Sequence, residues 1–164
     1  MKTLYLLRHA KSDWANEGLE DIDRPLNARG YRDAHEMSLR LKERKEIPDL
    51  IVSSHATRTT STGIIFLREL EMYETRFVLR KALYAASADE IIKVIREFPD
   101  EYDKIMLVTH NPGITNVINR VCNASIDNVP TCGLACVDLE MPSWKTTGEI
   151  DGELRYFDFP KKQK

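Results

Sequence analysis

An arginine and a histidine stand side by side directly after a short apolar run near the start of the chain. The run is Leu4–Leu7, and Arg8 and His9 follow it. Apolar residues without polar alternation predict a strand that is covered on both faces. A neutral imidazole is a nucleophile and a guanidinium binds anions, so this pair at a strand exit can serve chemistry.

Two later segments repeat this arrangement. The run "DLIVSS" predicts a second buried strand, and Arg58 lies about one turn into the helix expected after it. The run "DKIMLVT" predicts a further strand that leads directly into His110. Ligands of an open α/β sheet bind beyond the carboxyl ends of its strands, so we expect these side chains to meet Arg8 and His9 there.

Such a cluster predicts a site for a phosphoryl group. Two guanidinium groups can each offer paired donors to a tetrahedral dianion, and helix N-termini add backbone N–H groups. The sequence has no GxxxxGK[ST] loop, which argues against a nucleoside-triphosphate site. Either His9 or His110 could attack phosphorus, and the residues alone do not choose between them.

Helices of ten or more residues are predicted between these strands. Apolar spacing indicates helices over 28–45, 56–70, 87–98 and 111–122, with Asn27 and Ser87 as N-caps and a further strand over 76–84. Alternating strands and helices predict an α/β fold, a three-layer sandwich with a mainly parallel central sheet flanked by helices.

The C-terminal part has a different pattern, with short alternating runs separated by turn residues. It predicts one more core strand over 133–141 and an antiparallel edge hairpin formed by 144–150 and 154–159. We expect a single domain over 1–160 and a basic tail over 161–164.

Bulk composition excludes several classes of function. The 164 residues carry a formal net charge of −2, which predicts neither nucleic acid nor a membrane as partner. Three cysteines without a CxxC pair, two of them at Cys132 and Cys136, predict buried thiols and not a zinc site. No run approaches a membrane span and the start has no signal-peptide pattern, so we expect a cytoplasmic protein.

Three motifs resemble the histidine phosphatase superfamily, also called phosphoglycerate mutase-like. "LYLLRHAKSDW" resembles its Arg-His-Gly signature, "VSSHATRTTSTG" matches the segment of its second arginine at Arg58, and "VTHNPGI" matches that of its second histidine at His110. The short length and "RPLNARG", "LYAAS" and "PTCG" are most similar to the small SixA-type phosphohistidine phosphatase branch.

The resemblance implies a phosphatase with a covalent intermediate and no metal or cofactor. His9 would be the nucleophile, with one ring nitrogen phosphorylated and the proton of the other held by a backbone carbonyl. Arg8, Arg58 and His110 would complete the catalytic phosphate pocket. The implied substrate carries phosphate, most directly on a histidine of a partner protein. The alternatives are a phosphatase of small phosphate esters and a non-catalytic phosphate-binding module.

The chain departs from the family pattern at three positions, one of which is Ala15, where larger relatives carry an asparagine that contacts the phosphate. Ala10 replaces the glycine of the signature, and Lys81 stands where mutase-like members have a glutamate that acts as general acid. A missing acid fits cleavage of a P–N bond better than cleavage of an alkyl phosphate, because an alkoxide leaving group needs a proton donor. The carboxyls that could substitute are left unranked: Asp21, Asp23, Asp89 and Glu90.

Two further side chains have alternative interpretations. His55, three residues before Arg58, could line the entrance of the pocket as a substrate contact or could simply pack. Trp14 could flank the mouth of the site or pack in the core or against the surface.

Overall fold

The computed structural model describes residues 1–162 and consists of one six-stranded sheet with helices on both faces. Gln163 and Lys164, part of the predicted basic tail, lie outside the described residues. The strands are β1 (Lys2–Arg8), β2 (Leu50–Ser53), β3 (Phe77–Leu79), β4 (Lys104–Thr109), β5 (Leu134–Leu139) and β6 (Glu153–Asp158). The helices are α1 (Ala28–Glu43), α2 (Thr57–Glu69), α3 (Ala88–Arg96) and α4 (Gly113–Cys122).

The strand order β3-β2-β4-β1-β5-β6 places the predicted functional strands next to one another. The first four strands in this order are parallel, whereas β5 is antiparallel to both β1 and β6. Because β4 lies between β2 and β1, Arg8 pairs with Thr109 and Ser53 with Val108. The α/β fold with a mainly parallel sheet is therefore confirmed.

Alternate side chains of β1 enter two separate cores, which makes the fold three-layered. Tyr5 and Leu7 belong to the core under α1 and α2, together with Met37. Leu4 and Leu6 belong to the core under α3 and α4. Burying each such side chain contributes roughly 1.5–3 kcal/mol, so the central strand is fixed from both faces.

Both predicted helix caps are present. The Asn27 side chain accepts a hydrogen bond from the Gly30 N–H at 2.8 Å at the start of α1. Ser87 and Glu90 form a reciprocal capping box at the start of α3, with distances of 3.2 and 3.0 Å. Each cap satisfies backbone donors that the first helical turn leaves free.

The predicted strand over 76–84 is shorter in the structure. Only Phe77–Leu79 pairs with β2, and a 3₁₀ turn follows over Lys81–Leu83. This turn lies near the carboxyl end of β4, because the Leu83 carbonyl accepts a hydrogen bond from the Thr109 hydroxyl. The Leu83 side chain is fully buried.

The predicted edge hairpin is wrong in its first half. Trp144–Thr146 forms a 3₁₀ helix, and the remaining strand β6 pairs directly with β5. Trp144 is fully buried, and its backbone and indole N–H groups donate to Asp100 and to the Tyr102 carbonyl. Because the Trp144 side chain must reach the core, the backbone around it cannot stay extended. The alternating polar and apolar residues of this segment had suggested a strand.

The C-terminal segment of the described chain is held against the domain. The Arg40 guanidinium donates to the Asp158 carboxylate and to the carbonyls of Phe159 and Pro160. Within residues 1–162, no helix is both long and apolar enough to cross a membrane.

The start of α4 depends on a close approach that only glycine allows. A Cβ on Gly113 would lie 2.1 Å from the Ala86 carbonyl oxygen. We therefore expect Gly113→Ala to lower the free energy of unfolding by about 1–3 kcal/mol in urea denaturation. The control is Gly18→Ala in an exposed loop, where the added Cβ would lie 3.3 Å from a side-chain oxygen of Asn16. Equal stability of both variants would contradict this packing.

Candidate active site

A cavity of about 210 Å³ lies at the carboxyl ends of β1 and β4. The four predicted side chains Arg8, His9, Arg58 and His110 all line it. Its other lining residues are Lys11, Ser12, Trp14, Arg24, Asn111 and Thr131. The shared sheet edge thus brings the predicted cluster together around one space.

His9 is oriented by the backbone next to it. Its Nδ1 lies 2.8 Å from the Ala10 carbonyl oxygen, which can only accept, so Nδ1 carries the proton and Nε2 keeps a lone pair. The backbone itself is held, because the Ala10 N–H donates to the Thr62 hydroxyl at 3.0 Å and the His9 carbonyl accepts from the Cys132 N–H. Ala10 is fully buried, so its extra methyl is accommodated.

His110 is oriented by a side chain instead. Its Nε2 lies 2.8 Å from the Ser54 hydroxyl, which also accepts a hydrogen bond from the Ala56 N–H at 3.3 Å. Its Nδ1 is buried and has no hydrogen-bond partner within the described chain. The His9 and His110 ring centres are 5.4 Å apart. A phosphoryl group bound in the cavity would supply the missing partner.

Both imidazoles are uncharged at neutral pH. Burial, reinforced by the charges of Arg58 and Arg8, lowers the pKa of His9 to about 3 and that of His110 to about 4. The ordinary pKa of a histidine is about 6.5, so each ring stays unprotonated and keeps its lone pair even at pH values well below 7. Neutral rings also reduce the repulsion among the cations of the pocket.

Each of the two predicted arginines keeps an unsatisfied donor. Arg8 donates from Nη1 to the Val129 carbonyl at 2.9 Å, and Arg58 donates to the carbonyl and carboxylate of Asp21 at 2.6 and 2.9 Å. The Nε atoms of both arginines are buried without a partner among residues 1–162. Burial, followed by the neighbouring charge of Arg58, lowers the pKa of Arg8. Unsatisfied buried N–H groups on cations favour an anionic guest.

Arg24 is a third guanidinium at this cavity that the sequence reasoning missed. It is 7% exposed and donates to the Ser12 hydroxyl at 2.5 Å and to Asp21 at 3.0 and 3.2 Å. Its guanidinium lies 3.5 Å from the centre of the Trp14 ring. Trp14 is 69% exposed and lies at the cavity mouth, not in the core. Arg24 belongs to the segment "RPLN", which served only as part of the family resemblance. Arg24 was not predicted as a site residue because it does not follow a predicted strand.

Asp21 is the one candidate acid that the structure connects to the cavity. It accepts hydrogen bonds from the Tyr84 hydroxyl at 2.5 Å and from Arg58 at 2.9 Å. The Tyr84 hydrogen bond, together with Arg58 and Arg24, holds the pKa of Asp21 well below its usual range and raises that of Tyr84. Asp21 is therefore ionised at neutral pH and orients Arg58.

The other three candidate acids make different contacts. Asp89 forms an ion pair with Arg120, and the Glu90 side chain accepts from the Ser87 N–H at the start of α3. This hydrogen bond lowers the pKa of Glu90. Asp23 is exposed and does not line the cavity. None of the three reaches the histidines.

His55 lies next to the cavity but does not line it. Its ring packs edge-on against Tyr84 with 5.8 Å between ring centres, and Tyr84 packs in turn against His110 at 5.4 Å. His55 is not among the cavity-lining residues. A direct substrate contact by His55 is therefore not supported by this geometry.

A larger hollow of about 450 Å³ lies elsewhere, between the end of α1 and β6. Its walls include Arg40 and Asp158, whose ion pair anchors the C-terminal segment. It contains none of the predicted catalytic side chains, so its size does not make it the site. Among residues 1–162 no group of three His, Cys, Asp or Glu side chains is arranged to hold a metal ion.

Comparison with known proteins assigns the family. A profile of the histidine phosphatase superfamily (branch 1) matches residues 4–103. The chain belongs to this superfamily. An uncharacterized chloroplastic protein of Arabidopsis thaliana is 30% identical over 160 residues, which cover 92% of this chain and 72% of that protein.

Solved structures of histidine phosphatases share the whole fold. A protein of Agrobacterium tumefaciens, provisionally named phosphohistidine phosphatase SixA, is 30% identical and has a TM-score of 0.82, with 97% of this chain and 98% of that chain covered. The protein histidine phosphatase SixA complexed with tungstate has a TM-score of 0.81 at 16% identity, covering 96% and 97% of the two chains. The family and these neighbours support phosphatase activity, and the SixA-type resemblance is confirmed.

The neutral histidines predict acid sensitivity of folding. Between about pH 6.5 and pH 4 these histidines bind protons in the unfolded chain but stay unprotonated in the folded chain. The free energy of unfolding therefore falls as pH is lowered. We expect the loss between about pH 7.5 and pH 4.5 to be smaller by about 2 kcal/mol in His110→Gln than in the wild type. Urea denaturation at both pH values in phosphate-free buffer measures it. Parallel pH dependence of the two proteins would contradict the lowered pKa.

The unsatisfied guanidinium donors predict phosphate binding. We expect inorganic phosphate to raise the Tm of the wild type, and Arg58→Lys to weaken the phosphate Kd about tenfold or more, because an ammonium group lacks the paired donors. The control is Arg155→Lys on β6, whose guanidinium contacts Glu46 and Asp138 outside the cavity. Titration calorimetry gives both constants. Equal weakening in the control would remove the special role of Arg58.

Proposed function

We propose that this phosphatase transfers a phosphoryl group from a phosphohistidine of a partner protein to its own His9 and then to water. The observation that carries the proposal is the hydrogen bond from His9 Nδ1 to the Ala10 carbonyl at 2.8 Å. It leaves Nε2 as the bare nucleophilic nitrogen in a cavity that Arg8 and Arg58 also line. His110 has no such fixed tautomer, because its Ser54 partner can donate or accept. This asymmetry favours His9 as the nucleophile.

In the first step His9 attacks the phosphorus atom. The Nε2 lone pair forms the new P–N bond while the bond between phosphorus and the substrate imidazole breaks. The substrate imidazole takes the electron pair of the broken bond and leaves neutral when its other nitrogen is protonated. His9 becomes an Nε2-phosphorylated imidazolium that keeps its proton on Nδ1, from which it donates a hydrogen bond to the Ala10 carbonyl.

In the second step water replaces His9 on phosphorus. The water oxygen forms a P–O bond, the P–Nε2 bond breaks, and one water proton passes to the phosphate released. His9 leaves as a neutral imidazole because Nδ1 has kept its proton throughout. The hydrogen bond that keeps this proton on Nδ1 therefore improves the leaving group of this step as well as the nucleophile of the first.

The cations of the cavity stabilise the transferring group in both steps. The free Nε groups of Arg8 and Arg58 are donors left for its equatorial oxygens, and His110 Nδ1 joins them in the tautomer in which Ser54 donates to Nε2. Donors fixed before the reaction stabilise charge in the transition state without further reorganisation. Arg24 adds a third guanidinium at the same wall.

The ionised state of Asp21 supports a P–N substrate. An alkyl phosphate needs a proton for its leaving alkoxide, and the carboxylate at Arg58 holds none at neutral pH. A phosphohistidine leaves as an imidazole and needs less help. The rival functions are hydrolysis of small phosphate esters and phosphate binding without turnover. The cytoplasmic location expected from the sequence stays a prediction.

The test is phosphate release from a histidine-phosphorylated carrier protein in EDTA. We expect the wild type to release phosphate and His9→Ala to be slower by at least about a thousandfold, because the variant lacks the nitrogen whose lone pair the Ala10 carbonyl contact leaves free for attack. The matched control is His55→Ala, which removes a histidine next to the cavity and keeps wild-type turnover. A phosphate label on the wild type that is stable in alkali, labile in acid and absent from His9→Ala would identify the intermediate.

The other outcomes separate the rivals. Equal release by His9→Ala would exclude His9 as nucleophile and turn attention to His110. Turnover of para-nitrophenyl phosphate without release from the carrier protein would favour small esters. Phosphate binding without turnover of either substrate would favour a binding module.

A further inference from the structure

An acidic loop borders the cavity that the catalytic side chains line. This rim loop, Ser12–Asp23, contains five carboxylates and no lysine, arginine or histidine. Asp21 is engaged with Arg58, Arg24 and Tyr84. The other carboxylates are Asp13, Glu17, Glu20 and Asp23, of which the last three are exposed with no side-chain partner among the described residues. The loop therefore presents unneutralised negative charge to solvent.

The rim loop also forms a second hollow that shares two lining residues with the cavity. Trp14 and Arg24 line both the catalytic cavity and a neighbouring hollow of about 230 Å³. The remaining walls of this hollow are Asn16, Glu17, Leu19 and Asp21. Trp14 is 69% exposed and Leu19 is 38% exposed, which leaves apolar area uncovered beside the site. This apolar area therefore lies next to any guest of the cavity that contacts Trp14.

The sign of charge reverses between floor and rim. The floor carries Arg8 and Arg58 with their unsatisfied Nε donors, which favour an anion such as a phosphate dianion. The rim carries Glu17, Glu20 and Asp23, so it repels any further negative charge on the same guest. The complementary ligand is a phosphate whose surroundings are cationic, and a small phosphate that also bears carboxylates is disfavoured.

We infer that the rim loop recognises a protein segment with basic side chains next to its phosphorylated histidine. The inference rests on the proposed function, since it names the kind of partner that the same site would take. A protein segment, unlike a small ester, spans from the cavity floor to the rim and can place lysine or arginine against the loop. Exposed Trp14 and Leu19 supply apolar contact area for the same segment.

The test compares two phosphohistidine peptides of equal length, one flanked by lysines and one by glutamates. At low salt, about 0.02 M, we expect kcat/KM of the wild type to be about fivefold or more higher for the lysine peptide. At about 0.5 M salt the ratio should fall to within about twofold, because exposed charges are then screened. A ratio near one at low salt would overturn the inference.

Charge variants assign the preference to the rim loop. The triple variant Glu17→Gln, Glu20→Gln, Asp23→Asn should lose most of the low-salt preference, with its Tm confirming that it folds. The matched control is the triple variant Glu140→Gln, Asp151→Asn, Glu153→Gln, which changes the net charge by the same amount. These residues lie near the amino end of β1, at the end of the strand opposite to the cavity. The control should keep the wild-type ratio. A preference kept by the rim variant, or lost equally by the control, would overturn the inference.

Binding separates failure of this inference from failure of the proposed function. Absence of turnover of both peptides by the wild type would count against the function. The Kd values of the same two peptides for His9→Ala still test the rim loop, because that variant keeps the loop and releases no phosphate. Tighter binding of the lysine peptide at low salt supports the rim loop, and equal binding overturns it.

Discussion

The site depends on burial that keeps two imidazoles uncharged beside permanently charged guanidinium groups. His9 is 7% exposed and His110 is 6% exposed, and this burial is the largest cause of their lowered pKa values. Protonated rings at a centre separation of 5.4 Å would repel each other and the arginines. Neutral rings keep the lone pair that the proposed attack requires and leave the arginines as positive charge at the cavity. The state that the proposed catalysis requires and the expected acid sensitivity of the fold therefore have one cause.

The sheet topology makes this burial possible. β4 enters between β1 and β2, so the residues that follow these strands emerge from the middle of the sheet and not from an edge. The His9 N–H donates to the Thr109 carbonyl, and the Ser54 N–H donates to the Val108 carbonyl, which extends the pairing past the strand ends. Each functional side chain thus starts from backbone with few alternative positions, as preorganised catalysis requires.

The sequence could predict those parts that local pattern determines. Apolar runs located β1 and β4, and the residues at their exits gave Arg8, His9 and His110 before any contact was known. Arg24 could not be found this way, because its place depends on Ser12, Asp21 and Trp14 within an aperiodic loop. The prediction for the segment after Met141 was wrong for the same reason. Its alternation suggested a strand, but the burial of Trp144 in the core under α3 and α4 decided its conformation.

The position of Asp21 links the missing acid to the choice of substrate. An acid in this superfamily site must be protonated before it can serve a leaving group, yet Asp21 lies against two guanidinium groups and a tyrosine hydroxyl. The same contacts that orient Arg58 for phosphate therefore remove Asp21 as a proton donor at neutral pH. An enzyme whose carboxylate beside the cavity arginines is used in this way suits a leaving group that brings its own proton. The imidazole of the proposed phosphohistidine substrate is such a group, and the inferred role of the acidic rim loop extends the requirement to the residues around it.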